Sequence, residues 1–257
     1  MAEETFQKLL EEYEALQDRG MSVEAIEFCY KIAASDEIAL HFELIRADNQ
    51  KPREKRFHLS AHFDKHGRPG MLYLSQFLGS ADDGLATDAA YLMAESLHIE
   101  TRRLQVDADN TFLPDVLNAL RRLTSSPLPE CRRRAIIALA WLADESDIDL
   151  FISHLKTDAD ELCRAWSATA FLQMSFHISK NILQKRASPA LLACLENETA
   201  LYVAGCAVKS IEEIYEKRLG LSDAAVERKD AAAVDKGRKR AARFLGKMGV
   251  DRKEERT

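Results

Sequence analysis

The sequence predicts an all-α protein made of stacked helical hairpins, and three observations lead there. The first is a cadence that returns after 32 residues. Cys131-Arg132-Arg133-Arg134-Ala135-Ile136-Ile137-Ala138-Leu139-Ala140-Trp141-Leu142 is echoed by Cys163-Arg164-Ala165-Trp166-Ser167-Ala168-Thr169-Ala170-Phe171-Leu172-Gln173-Met174. Self-similarity at this period marks arrays of helix pairs. The second is composition: 46% of the 257 residues are hydrophobic, with ten Gly, six Pro and no Val/Ile/Thr-rich alternating runs. That excludes a mostly disordered chain and disfavours strands. The third is a set of helix-start signals between apolar faces. Ser146 with Asp149 reads as a capping box, Asp158 with Glu161 repeats it, and Ser188-Pro189 reads as a cap followed by Pro at the first helical position.

The elements follow in chain order. Residues 1–35 form an N-terminal helical cap, with helices over 6–16 and 23–32, since an end repeat must show water a polar face. Residues 36–100 hold looser repeats: 38–45 pairs with 53–63, and 71–78 pairs with 85–97 after Gly67-Arg68-Pro69-Gly70. Residues 101–110, with Arg102, Arg103, Asp107, Asp109 and Asn110, form a polar connector. Residues 111–221 hold the clearest repeats. Phe112, Leu113, Val116, Leu117, Leu120 and Leu123 make the helix before Cys131, with Pro127 and Pro129 in the turn. Ile148, Phe151, Ile152 and Leu155 make the next apolar face at helical spacing. In its partner helix Cys163, Ser167, Ala170, Phe171 and Met174 share one stripe, and small Ser167 and Ala170 allow close helix approach. After a longer link at 175–186, a helix opening at Ser188 pairs with one over 201–215, whose repeat positions are Val203, Ala207, Ser210, Ile211 and Ile214. Residues 222–257 read as one charged helix and a tail, anchored by Phe244, Leu245 and Met248.

The stretch Ala138-Leu139-Ala140-Trp141-Leu142-Ala143-Asp144-Glu145-Ser146-Asp147-Ile148-Asp149-Leu150-Phe151-Ile152, ending in Asp158-Ala159-Asp160-Glu161-Leu162-Cys163-Arg164, resembles a HEAT repeat. The resemblance covers about residues 111–217. It implies a right-handed α-α superhelix of about six hairpins, with each hairpin's second helix on the concave side. It also implies that Arg132 and Arg164 bond helix ends or an Asp of the neighbouring repeat. No activity follows from the architecture alone. HEAT-like hydroxylases hold a di-iron centre with His-Glu dipeptides, and this chain has none. HEAT-like DNA glycosylases use a basic concave face, for which Trp141, Trp166, Arg132, Arg133, Arg134 and Arg164 are the right residue types. A net charge of −6 weighs against a duplex ligand.

Other constellations are sparse. His58, His62 and His66 would share one face of a helix, with Asp64 or His41 as further ligands, or they are simply a His-rich polar face. No metal and no cofactor is assigned on this basis. The five cysteines form no CxxC pair and read as reduced structural thiols of a cytoplasmic protein. Met1-Ala2-Glu3-Glu4 is not the start of a signal peptide, and no apolar run reaches the ~18 residues of a membrane span. No GxSxG, Walker-type loop or HExxH is present, so no catalytic residue is named.

The reading of function is a non-enzymatic protein-binding scaffold or regulator, of which an immunity or inhibitor protein is one form. Its binding face comprises Arg133, Ile137, Trp141, Trp166, Thr169, Gln173, Lys209 and Glu213, with Ala165 on the same side, and its partner is a protein with a basic surface. One alternative is nucleic-acid binding or DNA repair, helped by a basic tail of Lys236, Arg238, Lys239, Arg240, Arg243 and Lys247 that touches nucleic acid or an acidic partner. A second is a metal-dependent enzyme built on His58 and His62.

Overall fold

The computed structural model describes residues 2–16, 22–102 and 110–250, which form α-helices and short 3₁₀ turns and contain no strand. The fold class is all-α. Among the described residues no helix is long and apolar enough to cross a membrane. The chain divides into two compact units, Met1–Ala119 and Leu120–Thr257. Of the connector expected at 101–110, residues 103–109, including Arg103, Asp107 and Asp109, lie outside the described residues.

In the first unit, α1 (Ala2–Leu16) pairs with α2 (Val23–Ala33). Ser22 caps α2 by accepting the Ala25 N–H at 3.2 Å. Buried Leu9, Tyr13 and Leu16 meet a core that includes Phe28 and Ile32, with the Tyr13 and Phe28 rings 5.9 Å apart. Next, α3 (Ile38–Asn49) buries Leu40, Phe42, Leu44 and Ile45. The helix expected over 53–63 does not form. In its place stand a 3₁₀ turn (Arg53–Lys55) and a 3₁₀ segment (Leu59–His66). The cause is local: the Asp48 carboxylate accepts the N–H groups of Phe57 at 3.0 Å and His58 at 3.1 Å, diverting them from a helical ladder. His58 then adopts left-handed φ of 55°. Beyond it, α4 (Gly67–Ser75) and α5 (Asp83–Arg102) supply the expected pair, α5 burying Ala86, Ala89, Ala90, Met93 and Leu97. The division between units falls inside α6 (Leu113–Leu123), after Ala119.

The second unit is the regular one. It contains α7 (Pro129–Leu142), α8 (Ile148–Thr157), α9 (Glu161–Met174), α10 (Lys180–Asn197) and α11 (Leu201–Ile214), followed by α12 (Asp223–Glu227) and α13 (Ala231–Lys247). Helices α7, α9 and α11 lie side by side, α8 and α10 pack against each other, and α13 lies on α10 and α11. Buried Ala135, Ala138, Ala165, Ala168, Ala204 and Ala207 let the inner three approach closely. The Ser210 hydroxyl donates to the Ala168 carbonyl at 2.7 Å, joining α11 to α9.

Four local expectations are corrected here. The capping box before α8 is Asp144 with Asp147, not Ser146 with Asp149. Helix α9 is capped by Asp160, which accepts the Cys163 N–H at 2.8 Å, not by Asp158 with Glu161. Ser188-Pro189 lies inside α10, which begins at Lys180 because Leu183 and Ala187 add a buried turn. Ser188 is itself buried and bonds the Tyr215 hydroxyl at 2.9 Å. The single C-terminal helix is two, divided where Lys229 takes φ of 52° and Asp230 caps α13 through the Ala233 N–H.

Candidate partner-binding face

The inner layer of the second unit is set by a series of arginine clamps. Arg121 grips Asp147 with Nε at 2.7 Å and Nη2 at 2.9 Å. Arg132 grips Asp158 at 3.0 and 2.8 Å, and its Nη1 donates to the carbonyls of Ser126 and Pro127. One repeat later Arg164 grips Glu198 at 2.7 and 3.2 Å, and its Nη1 donates to the carbonyls of Asp158 and Ala159. Both arginines therefore reach back five and six residues to the preceding turn and forward to an acid. Arg133 forms a further fork with Asp160 at 2.7 and 2.6 Å. Bidentate pairs fix orientation as well as charge.

The acids also hold helix entrances. Asp158 accepts the Asp160 N–H at 2.9 Å, and Glu198 accepts those of Thr199 and Ala200 at 3.0 and 2.9 Å. Burial alone would raise the Asp158 carboxyl, but Arg132, the Asp160 N–H and His154 outweigh it and hold its pKa at about 2. Arg133 holds the Asp160 carboxyl well below the usual range. For Glu198 burial again raises and Arg164 overrides, so the net direction is down.

With those arginines committed, the surface left on α7 and α9 is largely uncharged. Ile137 and Trp141 on α7 and Trp166, Thr169 and Gln173 on α9 are all half-buried, so each presents part of its side chain to solvent. Leu162, four residues before Trp166, extends the α9 stripe and was missed in the sequence, where only its spacing could have signalled it. Ala165, expected on this side, is fully buried. The reason is that α9 has a neighbour on each flank, α7 and α11, which narrows its open stripe. Arg133 lies on this side of α7 but spends its guanidinium on Asp160.

On α11 the same stripe is roofed by the chain itself. A Cβ placed on Gly205 would meet Val226 Cγ1 at 2.8 Å, so α12 sits directly on α11 there. Lys209 is held beneath this roof by Glu212 at 2.7 Å, Asp223 at 3.2 Å and the Leu221 carbonyl at 3.3 Å. Lys229 bonds Glu161 at 3.2 Å, tying the end of α12 to α9. Glu213 points elsewhere, to Lys180 at 3.1 Å. Lys209 and Glu213 are thus not brought together with the α7 and α9 residues as one open surface.

The basic tail splits by role. Arg238 donates to the Leu195 carbonyl near the end of α10, and Arg240 to the Leu219 carbonyl at 3.2 Å. Arg243 and Lys247 line a cleft with Lys217 and Arg218, which the sequence reading passed over, while Lys236 and Lys239 are exposed outside it.

The histidines do not assemble as expected. With three residues per turn in 3₁₀ geometry, positions four apart leave a common face. His62 lies against Tyr30, the rings tilted by 38° with centroids 4.5 Å apart, and His58 is exposed. The close pair is His41 with His66, Nδ1 to Nε2 at 2.8 Å, while His41 Nε2 lies 3.2 Å from the Leu59 carbonyl. A carbonyl only accepts, so His41 carries its proton on Nε2 and takes a bond from His66 on Nδ1. Burial, then His66, pushes the His41 pKa down to about 3. Among the described residues no group of three His, Cys, Asp or Glu is disposed to hold a metal ion.

A family model for HEAT repeats matches residues 76–171. No curated protein and no solved structure matches the chain.

Proposed function

We propose that this chain, whose residues 76–171 match a family model for HEAT repeats, is a non-enzymatic protein-binding module whose partner docks on the α7 and α9 face. HEAT repeats are in general protein-interaction scaffolds. The observation that carries the reading is the neutralisation of the inner arginines. Arg132, Arg133 and Arg164 each spend their fork on a carboxylate of the same chain. The half-buried side chains beside them are Ile137, Trp141, Trp166, Thr169 and Gln173, a mixture of aromatic, aliphatic and neutral polar groups suited to a protein surface. A phosphate backbone instead rewards uncommitted cations, which weighs against the duplex-binding alternative at this face.

Charge refines the proposal. Residues 1–119 carry 12 Lys and Arg against 22 Asp and Glu, and residues 120–257 carry 24 against 20. The negative field that steers a basic partner therefore comes from the first unit, whereas the docking face lies in a mildly positive one. An immunity or inhibitor role, in which the face occludes a toxin or enzyme, is one form of this function, and a cytoplasmic location is part of the same proposal.

The test uses the full chain with a photo-crosslinking residue at Ile137 or Trp166, and at exposed Lys185 on α10 as the control. A discrete protein adduct at the first two positions and not the third is the expected result. The captured protein is then purified and titrated against an Ile137→Glu/Trp141→Ala variant with an unchanged circular dichroism spectrum. Undiminished binding by that variant would overturn the assignment of the face. Arg133→Glu is unsuitable here, because it breaks the clamp to Asp160.

A further inference from the structure

The turn after α11 and one face of α13 border an open cleft of about 560 Å³ lined by Lys217, Arg218, Leu219, Gly220, Arg240, Arg243, Phe244 and Lys247. Five of these eight residues are cationic and none is acidic. Arg240, Arg243, Phe244 and Lys247 recur at helical spacing, so α13 aims one stripe at the cleft. The turn opposite is firmly built. The Glu212 carboxylate accepts the N–H groups of Leu219 at 2.5 Å and Gly220 at 3.0 Å. Gly220, at φ of 80°, lies so close to Arg240 that a Cβ there would stand 2.5 Å from Nη1. The absence of a side chain is what lets that guanidinium cross to the Leu219 carbonyl.

The nearby acids are already engaged: Glu216 with Lys180 at 3.0 Å, and Glu212 with Lys209 and the turn N–H groups. Asp235, the one carboxylate of α13, is not part of the lining. Lys217, Arg218, Arg243 and Lys247 have no side-chain partner among the described residues, so four uncommitted cations line the cleft. An anion entering the cleft meets positive charge from both walls. The floor is apolar, made by Leu219 and by Phe244, whose ring is held edge-on to Tyr215 at 5.2 Å and 87°.

We propose that this cleft binds an organic polyphosphate of nucleotide size, its phosphates between Arg240, Arg243, Lys217 and Arg218 and its flat apolar part on Phe244. Cleft volume, multiple cations and an aromatic floor together define that chemistry, since small-molecule sites typically span ~300–1,000 Å³ and bases stack on aromatic rings. A free nucleotide and the end of a nucleic-acid strand both carry it.

The experiment is calorimetric titration of the full chain with ATP, with pyrophosphate and with a single-stranded oligonucleotide at two lengths. Saturable ATP binding at least fivefold tighter than pyrophosphate binding is expected. Arg243→Glu/Lys247→Glu should weaken ATP more than tenfold, and Lys236→Glu/Lys239→Glu, on the same helix outside the cleft, less than twofold. Phe244→Leu should weaken ATP and leave pyrophosphate unchanged. Strands binding one per end, independent of length, support the strand end as the natural source. Binding that grows with strand length while ATP fails overturns the proposal in favour of a nucleic-acid track. Absence of saturable ATP binding, or equal loss in the two charge-reversal variants when both retain the parent circular dichroism spectrum, also overturns it.

Discussion

Asp48 in the first unit and Asp158 in the second are equally buried, each with 3% of its side chain exposed, yet they are stabilised in opposite ways. Asp48 is satisfied locally, by backbone N–H groups nine and ten residues ahead, with Lys51 at 3.6 Å. Asp158 also takes local bonds, from the Asp160 N–H and His154, but its fork comes from Arg132 on α7, 26 residues back in the previous hairpin. The first arrangement bends one loop and cannot be passed on. The second joins one helix pair to the next and recurs in kind at Arg164 and Glu198. The contrast explains why residues 38–66 depart from the hairpin rhythm while residues 129–214 keep it.

The comparison can be broken most strongly at Asp48. Asp48→Ala leaves one buried and one partly buried N–H without their acceptor and the Lys51 ammonium without its counter-charge, and we expect a loss of about 3 kcal/mol. Urea denaturation checks it; a loss below 1 kcal/mol would show that water replaces the carboxylate. Arg132→Ala should follow at about 2–3 kcal/mol, since it strands a buried carboxylate while the arginine it removes is itself partly exposed. A double-mutant cycle with Asp158→Ala isolates the pair, and coupling near zero would contradict the clamp.

Acid separates the two regions at smaller cost. The folded His41 pKa, about 3, lies below its unfolded value near 6.5. Within that window the unfolded chain binds a proton that the folded one refuses, so stability falls as pH falls. Asp158 works in the other range: its contribution is present above the unfolded value near 3.9 and is lost only as pH drops through about 2. Between pH 6 and pH 5 we therefore expect a loss of about 1 kcal/mol centred on residues 38–66, seen by hydrogen exchange, with the clamps intact. His41→Phe should flatten that dependence. The smallest effect is expected for Arg164→Lys, which keeps the charge but not the fork, at about 0.5–1 kcal/mol by the same denaturation assay.

Much of this was legible beforehand, because apolar spacing is read along one chain. The stripe Cys163, Ser167, Ala170, Phe171 and Met174 is buried as its period requires, and the HEAT resemblance implied that Arg132 and Arg164 bond helix ends or an Asp of the neighbouring repeat; Arg132 takes Asp158, and Arg164 takes Glu198 instead. Caps were harder. Several Asp and Ser residues compete at each helix start, and the winner depends on backbone angles a few residues away, as at Asp160 against Asp158. The histidine face failed for a similar reason, since one carboxylate at position 48 changed the helical period beneath it.

The candidate site divides along the same line. Sequence alone determined the helix class, the repeat, the small residues between inner helices and the residue types available for binding, because all of these follow from local propensity and periodicity. Tertiary structure decided which of them remain open. It neutralised Arg133 through Asp160, buried Ala165 between two neighbouring helices, roofed Lys209 with α12 and set Lys217 and Arg218 opposite Arg243 and Lys247. Each outcome depends on charges and surfaces brought together from distant parts of the chain, and periodicity carries no record of what lies across a helix.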